Sequence, residues 1–229
     1  MGGLSTSEGR TTAPPDQADD AVLSMARFVP ATYAEGPGLR AALWVQGCSI
    51  RCPGCFNPQL WARRGGSDRQ VTDLVRELLE SAATHGVEGI TLLGGEPFEQ
   101  AAPLARVARG LRQAGLSVMT FTGYEWADLR RWAESRPDIG ALLEATDLLA
   151  DGPFLADSID TSRPWIGSRN QGLRALTDRY AEQLATFDRH PDRVEVRVAA
   201  DGEIAVNGWA NADALDALFA DLGRRNNRH

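Results

Sequence analysis

Residues Glu35–Trp61 read EGPGLRAALWVQGCSIRCPGCFNPQLW. Within them, AALWVQG (Ala41–Gly47) is a short apolar run closed by glycine, the pattern of a buried parallel strand. Directly after it come Cys48, Cys52 and Cys55, the only three cysteines in the sequence. Their spacing is C-x3-C-x2-C, so one loop at the end of one strand carries every thiol the chain has.

The same alternation continues outward from this stretch. Val71, Leu74, Val75, Leu78 and Leu79 follow helical spacing. GITLLGG (Gly89–Gly95) reads as a second buried strand, and Ala101 to Ala114 as a helix with Leu104, Val107, Ala108 and Leu111 on one face. LSVMTFTG (Leu116–Gly123) is a third strand, Glu125 to Glu134 a third helix, and TDLLADG (Thr146–Gly152) a fourth strand. Strands that alternate with helices in this way predict an α/β fold with a mostly parallel sheet. Beyond Gly152 the spacing predicts a helix over Gln171–Leu184. VEVRVAA (Val194–Ala200) and GEIAVNG (Gly202–Gly208) predict a hairpin about Asp201-Gly202, and a last helix follows over Asn211–Leu222. Residues 1–20 are rich in Gly, Ser, Thr, Pro and Asp and read as a disordered arm. Residues 21–222 then form the domain with its hairpin and helix extension, and 223–229 a disordered tail.

Composition narrows the function classes. The chain of 229 residues carries a net charge of −7, which argues against a duplex nucleic-acid binder. It contains no lysine, so all 24 basic residues are arginine; this excludes a lysine Schiff base and a P-loop lysine. No apolar run reaches the roughly 18 residues of a membrane helix. The N-terminus has neither the basic start nor the apolar core of a secretory signal, so the expected address is cytoplasmic, where thiols stay reduced.

Three thiolates this close together can grip one metal centre. A structural zinc site wants four protein ligands, and His85, His190 and His229 stand at no matching spacing; His85 reads as the C-terminal residue of its helix, favoured there by the dipole. A cubane iron–sulfur cluster normally takes four cysteines. With three, one iron keeps an open position for a substrate. A non-catalytic iron–sulfur or zinc protein stands as the alternative of another class.

Further motifs follow in order: GGEP (Gly94–Pro97) at the end of the second strand, where the sites of barrel and α/β folds lie, then DGPF (Asp151–Phe154) and GSRNQ (Gly167–Gln171). Together with the cysteines they resemble the radical S-adenosylmethionine (SAM) superfamily. GPGLR…QGCSIRCPGCFNPQLW is similar to its glycyl-radical-enzyme activating branch, above all the activases of anaerobic ribonucleotide reductase. The resemblance runs from about Arg27 to Gly208. It implies an incomplete (β/α)6 partial TIM barrel, here with a C-terminal β-hairpin and helix. It implies one [4Fe-4S] cluster on Cys48, Cys52 and Cys55, with SAM chelated at the fourth iron. SAM contacts are implied for Gly94, Gly95, Glu96 and Pro97, with the Glu96 carboxylate toward the SAM ammonium. They are implied also for Asn57, Thr122, Gly123 and Asp151, with a capping role for Asp151 also open. Arg40, Ser168, Arg169 and Asn170 fall on the substrate or partner side, with a structural role for Arg40 equally open. Trp44 and Trp61 read as packing around the cluster loop.

In two places the sequence departs from the family pattern. Gly54 stands where an aromatic residue often precedes the last cysteine. WIGSRNQG has Ile166 and Gly172 where the activases carry arginine, and Arg169 where they carry serine. The implied reaction is reductive cleavage of SAM to a 5′-deoxyadenosyl radical, which takes hydrogen from a glycine Cα of a glycyl radical enzyme. A peptide or small metabolite is the alternative hydrogen donor. Flavodoxin or ferredoxin is the implied electron donor, with no nucleic acid and no membrane as partner.

Overall fold

A computed structural model describes residues 21–187, 194–198 and 204–208. The expected arm, tail and last helix, and the Asp201-Gly202 turn, lie outside the described residues. The main sheet has seven strands in the order β3-β1-β2-β4-β5-β6-β7. These are β1 (Val22–Thr32), β2 (Arg40–Val45), β3 (Ser67–Gln70), β4 (Gly89–Gly94), β5 (Ser117–Phe121), β6 (Leu148–Asp151) and β7 (Gly172–Ala175). The middle four, β2-β4-β5-β6, run parallel. β1 and β3 continue the sheet antiparallel on one side, and β7 on the other. Among the described residues the parallel part has four strands.

Helices α1 (Val71–His85), α2 (Ala101–Gln113), and α3 (Trp126–Ala133) with α4 (Pro137–Glu144) connect the parallel strands. The strand order β2, β4, β5, β6 never reverses, so right-handed crossovers put every connecting helix on one face. Leu74, Leu78, Leu104, Leu111, Leu129 and Leu142 accordingly share a core with Leu43, Val45, Ile90, Leu92, Val118 and Leu149 of the sheet. The alternate strand residues face the other way. Ala42, Trp44 and Leu93 pack together on that inner face, as do Met119, Leu148 and Ala150. α1 ends on His85, with Gly86 at φ 64° closing it, which is the role expected of that histidine. None of the helices in the described residues is long and apolar enough to cross a membrane.

Two differences from the expectations have physical causes. The helix expected over Gln171–Leu184 forms only at its end, as α5 (Ala181–Leu184). Its beginning is edge strand β7, paired to β6 through Leu148↔Ala175 and Asp151↔Gly172, because the free edge of β6 offers hydrogen-bond partners that local spacing does not reveal. Edge strands β1 and β3, on the far side, were not in the sequence reading at all; β1 carries Met25, Arg27 and other mixed residues, with no clean apolar run. The hairpin does form, as β8 (Val194–Val198) and β9 (Ile204–Gly208). It lies against the end of β1, where Asn207 Nδ2 donates to Thr32 Oγ1 at 2.8 Å and Tyr33 N donates to Glu195 Oε1 at 2.6 Å.

Candidate cluster and SAM site

The cysteine loop leaves β2 at its C-terminal end and folds back on itself. Gly47 N donates to Leu60 O at 2.9 Å and Cys48 N to Trp61 O at 3.1 Å. Gln46 Nε2 holds the return through Ala62 O at 2.6 Å. Inside this ring Cys55 N donates to Cys52 O, a turn eased by Gly54 at φ 78°. Asn57 N lies 3.4 Å from Cys55 Sγ. The GGEP turn ends β4 beside this loop, with Gly95 N on Val45 O and Glu96 N on Gly47 O, both at 2.8 Å. A Cβ on Gly95 would stand 2.1 Å from Gly47 O, so the motif needs glycine for two backbones to meet.

Glu96 is buried. Its carboxylate accepts from Phe98 N at 2.9 Å and from Thr122 Oγ1 and Gly123 N at 2.8 Å. It therefore ties the end of β4 to the end of β5, a bridge that the sequence reading did not foresee. Burial is the larger influence on its acidity and outweighs these three donors, pushing the carboxyl up to about 7.

Cys48, Cys52, Cys55, Asn57, Gly94–Pro97, Thr122 and Gly123 all line one cavity of about 200 Å³ at the C-terminal ends of the parallel strands. A neighbouring cavity of about 210 Å³ shares Cys55, Asn57, Leu93, Phe121, Phe154 and Gln171 with it, and continues to Glu35, Trp44, Trp165 and Gly208. Phe154, of DGPF, stands beside Gly54: a Cβ there would lie 3.5 Å from its ring. Phe56 packs on the same ring, with centroids 5.2 Å apart.

Other expected residues fall elsewhere. Arg40 is fully buried at the opposite, N-terminal end of the strands, five residues from the end of β2, or about 17 Å. Its guanidinium donates to Thr91 Oγ1, Pro37 O, Ser117 Oγ, Tyr180 Oη and Ile90 O. It closes the bottom of the inner face and does not reach the substrate side. Asp151 belongs to the helix-facing set of β6, since Leu148 and Ala150 point inward. Its carboxylate accepts from Trp126 N at 3.1 Å and Arg174 Nε at 2.6 Å, so it caps α3 while its neighbour Gly152 lines the cavity.

Ser168 and Asn170 hold their own loop. Leu155 N donates to Ser168 Oγ, and Asn170 Nδ2 donates to Pro153 O at 2.7 Å. Arg169 is exposed, and its backbone N donates to Ser158 O. The residue of GSRNQ that reaches both cavities is Gln171, with Nε2 on Gly152 O at 2.8 Å and Oε1 accepting from Gly167 N and Ser168 N. The resemblance implies no separate role for it.

The donor set fits an iron–sulfur cluster. Burial raises the Cys48 and Cys52 thiols above the ordinary range, so binding metal would release their protons. Among the described residues no three His, Cys, Asp or Glu converge on a single ion. Three thiols of one loop lining one cavity suit a cubane, in which each thiolate goes to a separate iron. Trp61, in the same wall, has a buried indole N–H with no acceptor among the described residues, a donor left for a bound group.

Comparison with known proteins agrees. Residues 34–174 match the family described as 4Fe-4S single cluster domain. Anaerobic ribonucleoside-triphosphate reductase-activating proteins are similar along nearly their whole length. That of Salmonella typhimurium is 32% identical over 159 residues, covering 66% of this chain and 97% of the relative. That of enterobacteria phage T4 is 29% identical over 157 residues, covering 66% and 94%. That of Escherichia coli K12 is 28% identical over 160 residues, covering 66% and 97%. Among solved structures, QueE from Escherichia coli overlaps with a TM-score of 0.32 at 18% identity, over 44% of this chain and 52% of that one.

Proposed function

The chain belongs to the family of 4Fe-4S single cluster domains, and from that premise we propose that it is a radical SAM enzyme that activates a glycyl radical enzyme. The relatives it matches are named for activating anaerobic ribonucleoside-triphosphate reductase. The observation that carries the reading is one cavity at the C-terminal strand ends, walled by every thiol of the sequence and by the GGEP turn.

Cys48, Cys52 and Cys55 would hold three irons of a [4Fe-4S] cluster, and the open fourth position would take SAM. When bound, the pair supplies one-electron reductive cleavage of the sulfonium to methionine and a 5′-deoxyadenosyl radical, which abstracts hydrogen. The protein's own contribution is placement and exclusion. Gly94 and Gly95 let the backbone come close to the ligand. Glu96, Thr122 and Gly123 fix the two strand ends to one another, so their polar groups meet the ligand without rearranging. Asn57 and Pro97 complete the same wall. Leu93, Phe121 and Phe154 face both cavities with apolar surface and keep water from the reacting centre. The second cavity is the place for the hydrogen donor, and its small volume suits the tip of an extended segment such as a glycine loop.

We read the sheet as an open half-barrel. A single-direction strand order and helices confined to one face support this, as does the convergence of β2, β4 and β5 side chains (Trp44, Leu93, Phe121) on a common inner cavity. Residues 21–222 are read as one domain around it, and a flavodoxin or ferredoxin as the source of electrons.

The test is anaerobic. The protein, loaded with iron and sulfide and mixed with SAM, a reductant and a candidate glycyl radical enzyme, should yield 5′-deoxyadenosine and a glycyl radical signal by EPR. If 5′-deoxyadenosine forms and every candidate stays silent, the hydrogen donor is a different molecule. If no 5′-deoxyadenosine forms, the enzyme class itself is wrong.

A further inference from the structure

The cysteine loop and its return segment differ in charge from the rest of the chain. The whole chain carries −7, yet no acidic residue stands between Glu35 and Asp68. Arg51, Arg63 and Arg64, in that stretch, are exposed. Among the described residues none of the three pairs with a carboxylate, whereas eight other arginines do. The Arg63 side chain lies over Gly47, its Cγ 3.5 Å from where a Cβ on that glycine would stand. It also shares a surface hollow with Ser49, next to Cys48. Of the two carboxylates beside the loop, Glu96 is buried and held by Phe98 N, Thr122 Oγ1 and Gly123 N, and Glu99 accepts from Ser49 N and Oγ at 2.6 Å.

Arg51 adds an independent observation. It stands between Cys48 and Cys52 with φ at 53°. That left-handed conformation is costly for a residue with a long side chain, and glycine or asparagine would take it more easily. A strained residue kept at a functional loop points to a use for its side chain. Here the residue is exposed, stands in sequence between two cysteines that line the cavity, and makes no ion pair among the described residues. All three cysteines of the sequence belong to this one loop, which leaves no thiols for a relay cluster, so an electron has to arrive at this face directly.

We propose that the Arg51, Arg63 and Arg64 face is the docking surface for an acidic one-electron carrier protein. The proposal rests on the reading of Cys48, Cys52 and Cys55 as cluster ligands. In the step it serves, one electron moves from carrier to cluster. The carrier is oxidised by one equivalent, the cluster is reduced by one, and no bond forms or breaks. Complementary charge steers the encounter and fixes its orientation, and salt weakens both. Three cations on a chain of net charge −7 make a footprint for a small acidic protein and too little for a nucleic-acid backbone.

The experiment uses the anaerobically reconstituted full chain and a flavodoxin of net negative charge. Binding is followed by flavin fluorescence at low and high salt, and cluster reduction by absorbance. Binding should weaken about tenfold or more as salt rises. Joint reversal (Arg51→Glu, Arg63→Glu, Arg64→Glu) should remove the salt dependence and lower the ratio of carrier-driven to dithionite-driven reduction about tenfold. Arg51→Asn should leave the unfolding midpoint unchanged or raised while weakening carrier binding, which separates docking from folding. Salt-insensitive binding overturns the proposal, as does a reversed variant whose ratio matches the wild type, or equal affinity for a DNA oligonucleotide. A wild-type protein that assembles no cluster overturns the underlying reading, and the proposal with it.

Discussion

At the scale of single residues, the chemistry rests on side chains whose neighbours restrict what they can do. Cys48, Cys52 and Cys55 are free thiols in one cavity wall, and replacing any one by alanine should leave a cluster short of a ligand. Iron and sulfide bound after anaerobic reconstitution should fall to a small fraction of wild type for each variant, whereas His85→Ala, at the end of α1, should reconstitute normally. Glu96 makes a prediction about pH. Its carboxyl is pushed up to about 7 from an ordinary 4.5, chiefly by burial. Between those two pH values the folded chain holds a proton that the unfolded chain has released, so native stability falls as pH rises through this window, by about 3 kcal/mol from this group. Urea unfolding of the apo protein at pH 5 and pH 8 should show this loss, and Glu96→Gln should remove most of it; an unchanged pH slope in the variant would mean that the wild-type carboxyl titrates normally. Arg40 marks the limit of reading a motif by its company. It follows GPGL and precedes the cysteine strand, yet it stands at the far end of that strand, where its hydrogen bonds to Thr91, Ser117 and Tyr180 make it a structural plug.

At the scale of elements, strand parity and loop anchoring sort site residues from supporting ones. The strand character of TDLLADG is legible from its apolar run, but which of Ala150 and Asp151 faces the site depends on how β6 sits between β5 and β7. The pleat sends Asp151 to α3 and Arg174. The connection from β6 to β7 is held by a centre that no motif announced. Asp160 accepts from Ser162 and from Arg163 Nε at 2.6 Å; burial opposes its charge, but these donors prevail and hold the carboxyl well below its usual range. Arg163 then reaches the backbone of GSRNQ, at Gln171 O (2.9 Å) and Arg169 O (3.1 Å). Arg163→Met keeps the apolar stem and removes these bonds. It should lower stability by about 1–2 kcal/mol and speed proteolysis within the 152–171 loop, with a weaker SAM affinity because Phe154 and Gln171 lose their support. A variant as protease-resistant as wild type would show that the loop is anchored elsewhere.

At the scale of the whole molecule, the sheet separates folding from function by its two faces. Leu92 and Leu93 are neighbours on β4, one turned into the helix layer and the other into the cavities. Leu92→Ala should cost about 3 kcal/mol of stability with little effect on SAM affinity once the protein is folded. Leu93→Ala opens space beside an existing cavity, so it should cost about 2 kcal/mol or less and weaken SAM binding measurably. Urea unfolding and SAM titration of the reconstituted variants compare the two, and an equal effect of both on both readouts would contradict the division. The βα alternation, the cysteine loop, GGEP and the helix-facing leucines were all legible in the sequence, because each is a local pattern: a period of burial, a ligand spacing, or a glycine required where backbones meet. Tertiary structure alone decided that β1, β3 and β7 complete the sheet, that Arg40 plugs its base, that Asp151 turns outward, and that Phe154 meets the cysteine loop. Each of these depends on pairing or contact between segments far apart in the chain, which no window of neighbouring residues encodes.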